Sequence, residues 1–263
     1  MTIFISVVSH HHTENVIVDL KPSALNGDGV VVVIRDNAPD VKLKQYCEKN
    51  KLVYLANKRE KGFGENNNDT FNYCVNELGL IGTDLFVVLN PDVIVEQHVF
   101  FSLQKAMHDN GASLAAPNLF KDRSFNVLES SVRKFPYLWD FAASFLVQSS
   151  QTIARREFVT EPMFVDWASG AFLAFSGTLF QNLKGFDPAY YLYCEDVDIC
   201  WRALHVYGIK TLYVPSVKAV HHGKRQSRTT LSKLLIIHVL SAFRFSYIRI
   251  KTALKFNLYP YNK

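Results

Sequence analysis

The run Glu195-Asp196-Val197-Asp198, shortly after Gly185-Phe186-Asp187-Pro188 and just before Trp201-Arg202, gathers carboxylates where a proton can be taken from a hydroxyl or a cation held. On one helical turn Glu195 and Asp198 share a face, while Asp196 points elsewhere. One acid can then hold structure while another faces a pocket. Asp196 is the expected pocket acid, and Asp198 is expected to stabilise its own helix or to pair with Arg202, four residues on.

Other groups belong to the same inventory. In Asn90-Pro91-Asp92 a proline stops a strand and fixes the turn that holds Asp92. The triplet reads either as a plain turn cap or as part of a cation site, because Mg²⁺ bridging a diphosphate needs few protein oxygens. His221 and His222 close an apolar stretch, which puts one imidazole near the same place as a metal ligand, a phosphate contact or a structural histidine. Gly62-Phe63-Gly64, with Asn66-Asn67-Asn68 behind it, opens a helical segment whose amides either attract phosphate or simply cap the helix. Asp36 ends a strand as a loop cap or as an acceptor for a nucleotide base. The run His10-His11-His12 lies at that rim too and is assigned no chemistry.

These residues must be positioned by the elements around them. Apolar runs at Ile3 to Val8, Val30 to Ile34, Leu52 to Leu55, Leu85 to Leu89 and Ser113 to Ala116 alternate with amphipathic segments near 40 to 49, 65 to 79 and 96 to 109. Continuous apolar strands joined by helices predict a mostly parallel sheet covered on both faces, a three-layer α/β/α arrangement. Ligands of such sheets sit at the carboxyl ends of the strands, where Asp36-Asn37 and Asn90-Pro91-Asp92 fall. The stretch from about 118 to 162 has irregular periodicity and reads as an insertion or acceptor-side segment. Order returns with Asp166 to Phe175, the acidic helix after Tyr193, and Lys210 to Val214 leading to His221.

Composition bounds the answer. A chain of 263 residues, 48% hydrophobic, supports a sizeable core. Against 24 acidic residues, 29 basic ones give a net charge of +5, too mild to call for a nucleic-acid partner. Cys47, Cys74, Cys194 and Cys200 match neither a zinc nor a CxxC redox spacing and are expected as buried free thiols in a reducing compartment. The apolar start reads as a first strand, not a leader, and no run reaches the roughly 18 uncharged apolar residues of a membrane span. The sequence therefore predicts a cytosolic or peripheral protein.

In their order along the chain, Asp36-Asn37-Ala38-Pro39-Asp40, Gly62-Phe63-Gly64 with Asn68, Leu89-Asn90-Pro91-Asp92, Gly170-Ala171 after Trp167, Gly185-Phe186-Asp187, Glu195-Asp196-Val197-Asp198 and Pro215 with His221 resemble the family 2 inverting glycosyltransferases of the GT-A fold. The nearest branch is the bacterial rhamnosyltransferases of cell-surface polysaccharide assembly, and the match covers most of residues 3 to 222. The resemblance implies a catalytic base at Asp196 and a divalent cation, Mg²⁺ or Mn²⁺, at Asp92 and His221. It implies substrate contacts at Asp36 (to the pyrimidine base), Asn37, Gly62, Asn68, Asn90, Trp167, Gly170 and Glu195, the last orienting the acceptor. It further implies transfer of L-rhamnose from dTDP-L-rhamnose to N-acetylglucosaminyl-diphospho-undecaprenol in O-antigen synthesis. Asn90 stands where the family usually has the first acid of Asp-x-Asp, and the Lys58 to Lys61 stretch is longer than usual.

The expected organisation is a GT-A domain over 1–228, with a nucleotide-sugar half to about 117 and an acceptor half beyond, followed by a basic amphipathic tail over 229–263. From Leu231 to Lys255, Lys233, Arg244, Arg249, Lys251 and Lys255 fall within roughly a 160° arc. The opposite arc collects Leu235, Ile236, Val239, Leu240, Phe243, Tyr247, Ile250 and Leu254. Such a helix either packs on the enzyme's own core or lies in a membrane interface on the inner face of the cytoplasmic membrane. Two rival functions fit less well. A sugar-phosphate nucleotidyltransferase would want a glycine-rich N-terminal loop, and Ile3 to His12 has no glycine. A non-catalytic membrane or nucleic-acid module leaves the clustered acids unexplained.

Overall fold

A computed structural model describes residues 1–137, 139–140, 159–223 and 233–255. Part of the irregular 118–162 stretch and the expected boundary at residue 228 lie outside these residues.

Each apolar run of the first half forms a strand, and each amphipathic segment a helix. Strands β1 (Ile3–Ser9), β2 (Val30–Asp36), β3 (Val53–Ala56) and β4 (Leu85–Leu89) alternate with a π-helical turn at Asn15–Leu20 and helices α1 (Pro22–Leu25), α2 (Val41–Lys49) and α3 (Phe63–Glu77). Then come β5 (Val93–Ile94), α4 (Gln97–Asp109), β6 (Leu114–Phe120), β7 (Val132–Arg133), β8 (Met163–Val165), β9 (Trp167–Ala168), β10 (Phe172–Ser176) and α5 (Gly177–Asn182). Helix α6 (Glu195–Tyr207), strand β11 (Thr211–His221) and helix α7 (Lys233–Lys255) complete the chain.

The nine-stranded sheet runs β3-β2-β1-β4-β10-β6-β11-β5, with β8 added on β11, and a two-stranded ribbon pairs β7 with β9. β1 is parallel to β2 and β4, β2 to β3, and β6 to β11. β10 enters antiparallel between β4 and β6, so the sheet is mostly but not wholly parallel. Because side chains of a strand alternate faces, Ile3, Ile5 and Val7 join one core with α2 and α4, while Phe4 joins the other with α3, α5, α6 and Phe245 of α7. Both faces are thus covered. The four cysteines are buried free thiols.

Candidate active site

Asp196 sits in the first turn of α6, where its carboxylate is held from two sides. The amide of Gly170 donates to Oδ2 at 2.9 Å, and the amide of Val197 donates to Oδ1 at 2.8 Å. The approach to residue 170 is close: a Cβ there would lie 3.3 Å from Asp196 Cβ, so that the acid would have to give by a few tenths of an ångström, and 3.6 Å from Phe63. Burial raises the Asp196 pKa, opposed by these two amides and by nearby Arg133. Glu195 is buried, and burial together with the neighbouring Asp196 raises its pKa to about 8. Two adjacent acids cannot cheaply ionise together. Burial therefore pushes both acids toward their neutral forms, and the buried Oε2 of Glu195 has no partner.

Asp198 does what its spacing suggests. Fully buried, it accepts from Arg202 Nε at 2.7 Å, and the same guanidinium donates to the carbonyls of Leu183 and Gly185. The pair ties α6 to the Gly185-Phe186 turn. That turn requires glycine: residue 185 has φ +67°, and a Cβ there would fall 2.1 Å from Asn68 Oδ1. Asn68 makes two bonds to one residue, donating to the Phe186 carbonyl and accepting from the Phe186 amide, each at 2.8 Å. Its amide is therefore a clasp between α3 and the turn.

The entry to α6 is strained. Tyr193 and Cys194 both adopt left-handed backbone, φ 70° and 66°, a conformation that costs a non-glycine residue about 1–2 kcal/mol. Helix α7 grips this entry. Ser241 donates to the Leu192 carbonyl at 2.9 Å, His238 stacks on Tyr193 with ring centroids 4.5 Å apart, and Arg244 pairs with Asp187 at 2.5 Å.

A second cluster stands where β4 and β11 end. His221 Nε2 lies 3.3 Å from Asp92 Oδ1, and its Nδ1 lies 3.0 Å from Glu129 Oε1. Burial opposes a charge on this ring, yet the two carboxylates lift its pKa to about 10; the imidazolium in turn holds Asp92 below the ordinary carboxylate range against the effect of burial. Asn90 Nδ2 approaches His221 Nε2 at 3.4 Å. His12 is near enough for Asp92 to oppose the burial that lowers its pKa.

These two clusters share one rim. The Asn90 amide donates to the Ala171 carbonyl at 2.9 Å, and the preceding residue, Gly170, donates to Asp196. The acids at 92 and 196, distant in sequence, are thus linked through adjacent backbone groups at the end of β4, opposite the start of β10.

Asp36 lies at the carboxyl end of β2, fully buried. Its Oδ2 accepts from the Asp40 amide and from Tyr54 Oη, whereas Oδ1 has no partner. Asn37 is saturated: its amide group donates to the Lys61 carbonyl and toward His10 Nδ1, and its Oδ1 accepts from the Lys61 amide and from Asn57. It pins the Lys58 to Lys61 loop to the strand end. Gly62 caps α3 against the Tyr190-Tyr191 backbone, with a Cβ position only 2.7 Å from the Tyr191 carbonyl. Lys61, which could have offered a cation to phosphate, is bound to Asp69 at 2.5 Å and Glu65 at 3.3 Å. Trp167 is half-buried, its indole donating to the Lys134 carbonyl at 2.9 Å, and Arg133 stands over its ring.

Two residues of this rim escape sequence reasoning. Glu129 reaches His221 from a loop, and Arg133, on β7 beside Trp167 in the β7–β9 ribbon, is near enough for its charge to oppose the rise in the Asp196 pKa. No motif surrounds either. One further group among the described residues, His10, His11 and Glu60, places metal-capable atoms within 4.8 Å of one another on the outer lip.

The Asp92, Asn90 and His221 set suits a divalent cation in donor chemistry, having a half-buried carboxylate and an imidazole at one strand end. The imidazolium offsets the Asp92 charge, so a cation binding there competes with the ring's proton.

No family profile matches the chain. The rhamnosyltransferase WbbL of Escherichia coli (strain K12) is 30% identical over 243 residues, covering 92% of each chain. The N-acetylglucosaminyl-diphospho-decaprenol L-rhamnosyltransferase of Mycobacterium tuberculosis (strain CDC 1551 / Oshkosh) is 30% identical over 169 residues, 62% of this chain and 54% of that protein. Among solved structures, GalNAc-T7 with UDP, GalNAc and Mn²⁺ superposes with a TM-score of 0.63 at 15% identity, over 100% of this chain and 52% of that one, a likeness of fold alone.

Proposed function

The chain belongs to the rhamnosyltransferases of the GT-A glycosyltransferase fold, and from that membership we propose that it moves L-rhamnose from dTDP-L-rhamnose to a sugar carried on a lipid diphosphate, with inversion at the anomeric carbon. The WbbL relative covers nearly the whole chain, and the mycobacterial relative's name specifies a lipid-diphosphate acceptor. The observation that carries the mechanism is the shared rim: Asp196, aimed by the Gly170 amide, is one backbone step from the Ala171 carbonyl that anchors Asn90 beside Asp92 and His221.

In the reaction, Asp196 takes the proton of the acceptor hydroxyl. The acceptor oxygen bonds to the anomeric carbon, and the bond from that carbon to the diphosphate breaks, with its electron pair leaving on the nucleoside diphosphate. Neutral Glu195 beside it donates a hydrogen bond to the acceptor and keeps the negative charge on Asp196. The free Oδ1 of Asp36 accepts from the nucleobase. Asn37 and Asn68 hold the loops that frame the donor, and Gly62 and Trp167 shape its walls. Asp92, with His221 once its proton is lost, would hold a divalent cation, Mg²⁺ or Mn²⁺, which when bound would supply positive charge toward the departing diphosphate. A lipid-borne acceptor puts this work at the inner face of the cytoplasmic membrane. No helix among the described residues is long and apolar enough to cross a membrane.

The test uses purified protein, N-acetylglucosaminyl-diphospho-polyprenol and a panel of nucleotide sugars, with product mass read by spectrometry. A mass gain of one deoxyhexose from dTDP-L-rhamnose alone is expected. Transfer of another sugar in preference, or free hydrolysis of every donor without transfer, would overturn the assignment.

A further inference from the structure

Helix α7 uses both of its faces. The inner one is bound to the enzyme: Phe245 and Ala242 are buried, Phe245 lies edge-on to Trp201, and Ser241, Arg244 and Arg249 bond to the Leu192 carbonyl, Asp187 and the Pro136 carbonyl. The outer face is apolar and, among the described residues, uncovered. Ile236, Leu240, Phe243, Tyr247, Ile250 and Leu254 are each between 49% and 69% exposed. At about 100° per residue they fall within roughly 40° of one line down the helix. The two arcs separated by sequence periodicity therefore resolve as a core-facing side that includes Arg244 and Arg249, and an outward apolar stripe.

We infer that this outer face of α7 docks flat on an anionic lipid bilayer, with its apolar stripe in the acyl boundary. The spacing of the stripe, alternating four and three residues, would equally suit the seam of a zipper with a second copy. Charge separates the two occupants. The 23 residues of α7 contain no acid, while the positions of Lys233, Lys251 and Lys255 lie on one flank of the stripe, beside Arg244, whose charge is paired by Asp187. A second copy would bring the lysines of one α7 against those of the other along the seam, with no acid of α7 to offset them. Anionic headgroups supply the missing charge, and aromatic Phe243 and Tyr247 suit the depth just below them. The stripe spans about 27 Å at 1.5 Å per residue, and lying flat it requires no membrane crossing.

The inference deepens the proposed reaction and rests on it only for the lipid-borne acceptor. Because the inner face of α7 holds the loop that leads into Glu195-Asp196, docking would set the acid pair at a fixed height over the plane where the acceptor diphosphate lies.

The full chain is spun with vesicles of phosphatidylethanolamine and phosphatidylglycerol, and separately with vesicles of phosphatidylcholine alone. Wild type is expected to sediment with the first and much less with the second. Leu240→Gln, Tyr247→Gln and Leu254→Gln together remove exposed apolar surface, and should weaken binding by at least about tenfold. Lys251→Glu, which leaves the stripe intact, should weaken binding to the anionic vesicles only. Equal binding by wild type and triple variant would overturn the inference. So would a wild type that ignores both vesicles and runs in solution as a dimer that the triple variant dissolves. Transfer to a soluble, short-tailed acceptor is scored in parallel and should persist in every variant. A wild type that binds vesicles yet transfers nothing sinks the reaction while leaving the docking face standing.

Discussion

The backbone amide of Gly170 donates to Asp196 Oδ2 at 2.9 Å, and glycine at 170 leaves this contact unstrained, since a Cβ would lie 3.3 Å from the Cβ of Asp196 and press on it. A backbone group thus aims the carboxylate, and a side chain at 170 would shift it by a few tenths of an ångström.

Asp196→Asn preserves this contact's geometry and abolishes the proton acceptor. Turnover should fall by roughly 10²–10⁴-fold, with dTDP-sugar affinity by calorimetry unchanged. Gly170→Ala should lower kcat by about tenfold at similar donor affinity, because displacing the carboxylate by a few tenths of an ångström misaligns it without emptying the donor site. Wild-type turnover in Asp196→Asn would remove it as the base.

The Glu195 pKa makes stability depend on pH. The folded value, about 8, lies above the ordinary 4.5 because burial disfavours the charged form. Stability from the neutral acid is fully present below about 4.5 and is lost as pH rises through about 8. Glu195→Gln stays neutral throughout. Its Tm should match wild type at pH 4.5 and exceed it progressively up to pH 9, read by calorimetric scans across the range. A pH-independent difference would show that the side chain ionises freely in the fold.

Removing divalent cations with a chelator should stop transfer, and Mg²⁺ or Mn²⁺ should restore it. Asp92→Asn should raise the Mn²⁺ concentration needed for dTDP binding by at least tenfold, and Glu129→Gln, which loosens the ring that faces Asp92, by roughly tenfold. Titration calorimetry of dTDP with and without Mn²⁺ reads both, independently of turnover. A dTDP affinity indifferent to metal in wild type would remove the cation from this rim.

Gly185→Ala forces a left-handed residue to carry a side chain into Asn68. It should cost at least about 2 kcal/mol and lower Tm by about 4 °C or more. Asn68→Ala, which strips both partners from the Phe186 backbone, should cost about 1–3 kcal/mol. The double variant should cost less than the sum, because one clasp is being broken twice. Strict additivity in a thermal-denaturation cycle would show that the two residues act separately.

The parallel half of the fold was written in its apolar runs. Leu85 to Leu89 coincides with β4, Val30 to Ile34 falls within β2, and the Gly62 cap opens α3. Less legible was the antiparallel entry of β10 between β4 and β6, because a buried strand carries the same apolar pattern whichever way it runs. Acids that share a helical turn could be sorted by angle, so Asp198 and Arg202 are found paired. Glu129 and Arg133 could not be found this way, since the loop that carries Glu129 to His221 and the β7–β9 pairing that places Arg133 join parts of the chain far apart in sequence. Asn37 and Asn68 look like ligand-binding polar residues in sequence, and only coordinates show both ends of each amide engaged by backbone and side chains. For the tail, periodicity separated two arcs without saying which faced outward; Phe245 and Arg249 settle it.

Tyr193 and Cys194, the paired left-handed residues at the entry to α6, carry a conformation that disfavours bulky side chains, and His238 of α7 packs on the first of them. A valine or isoleucine in either place would be sterically intolerable, which narrows the alphabet open to these two positions over evolutionary time. Glycine at 194 would relax the backbone and let the acid pair drift, so a sturdier protein would come at the expense of a slower one.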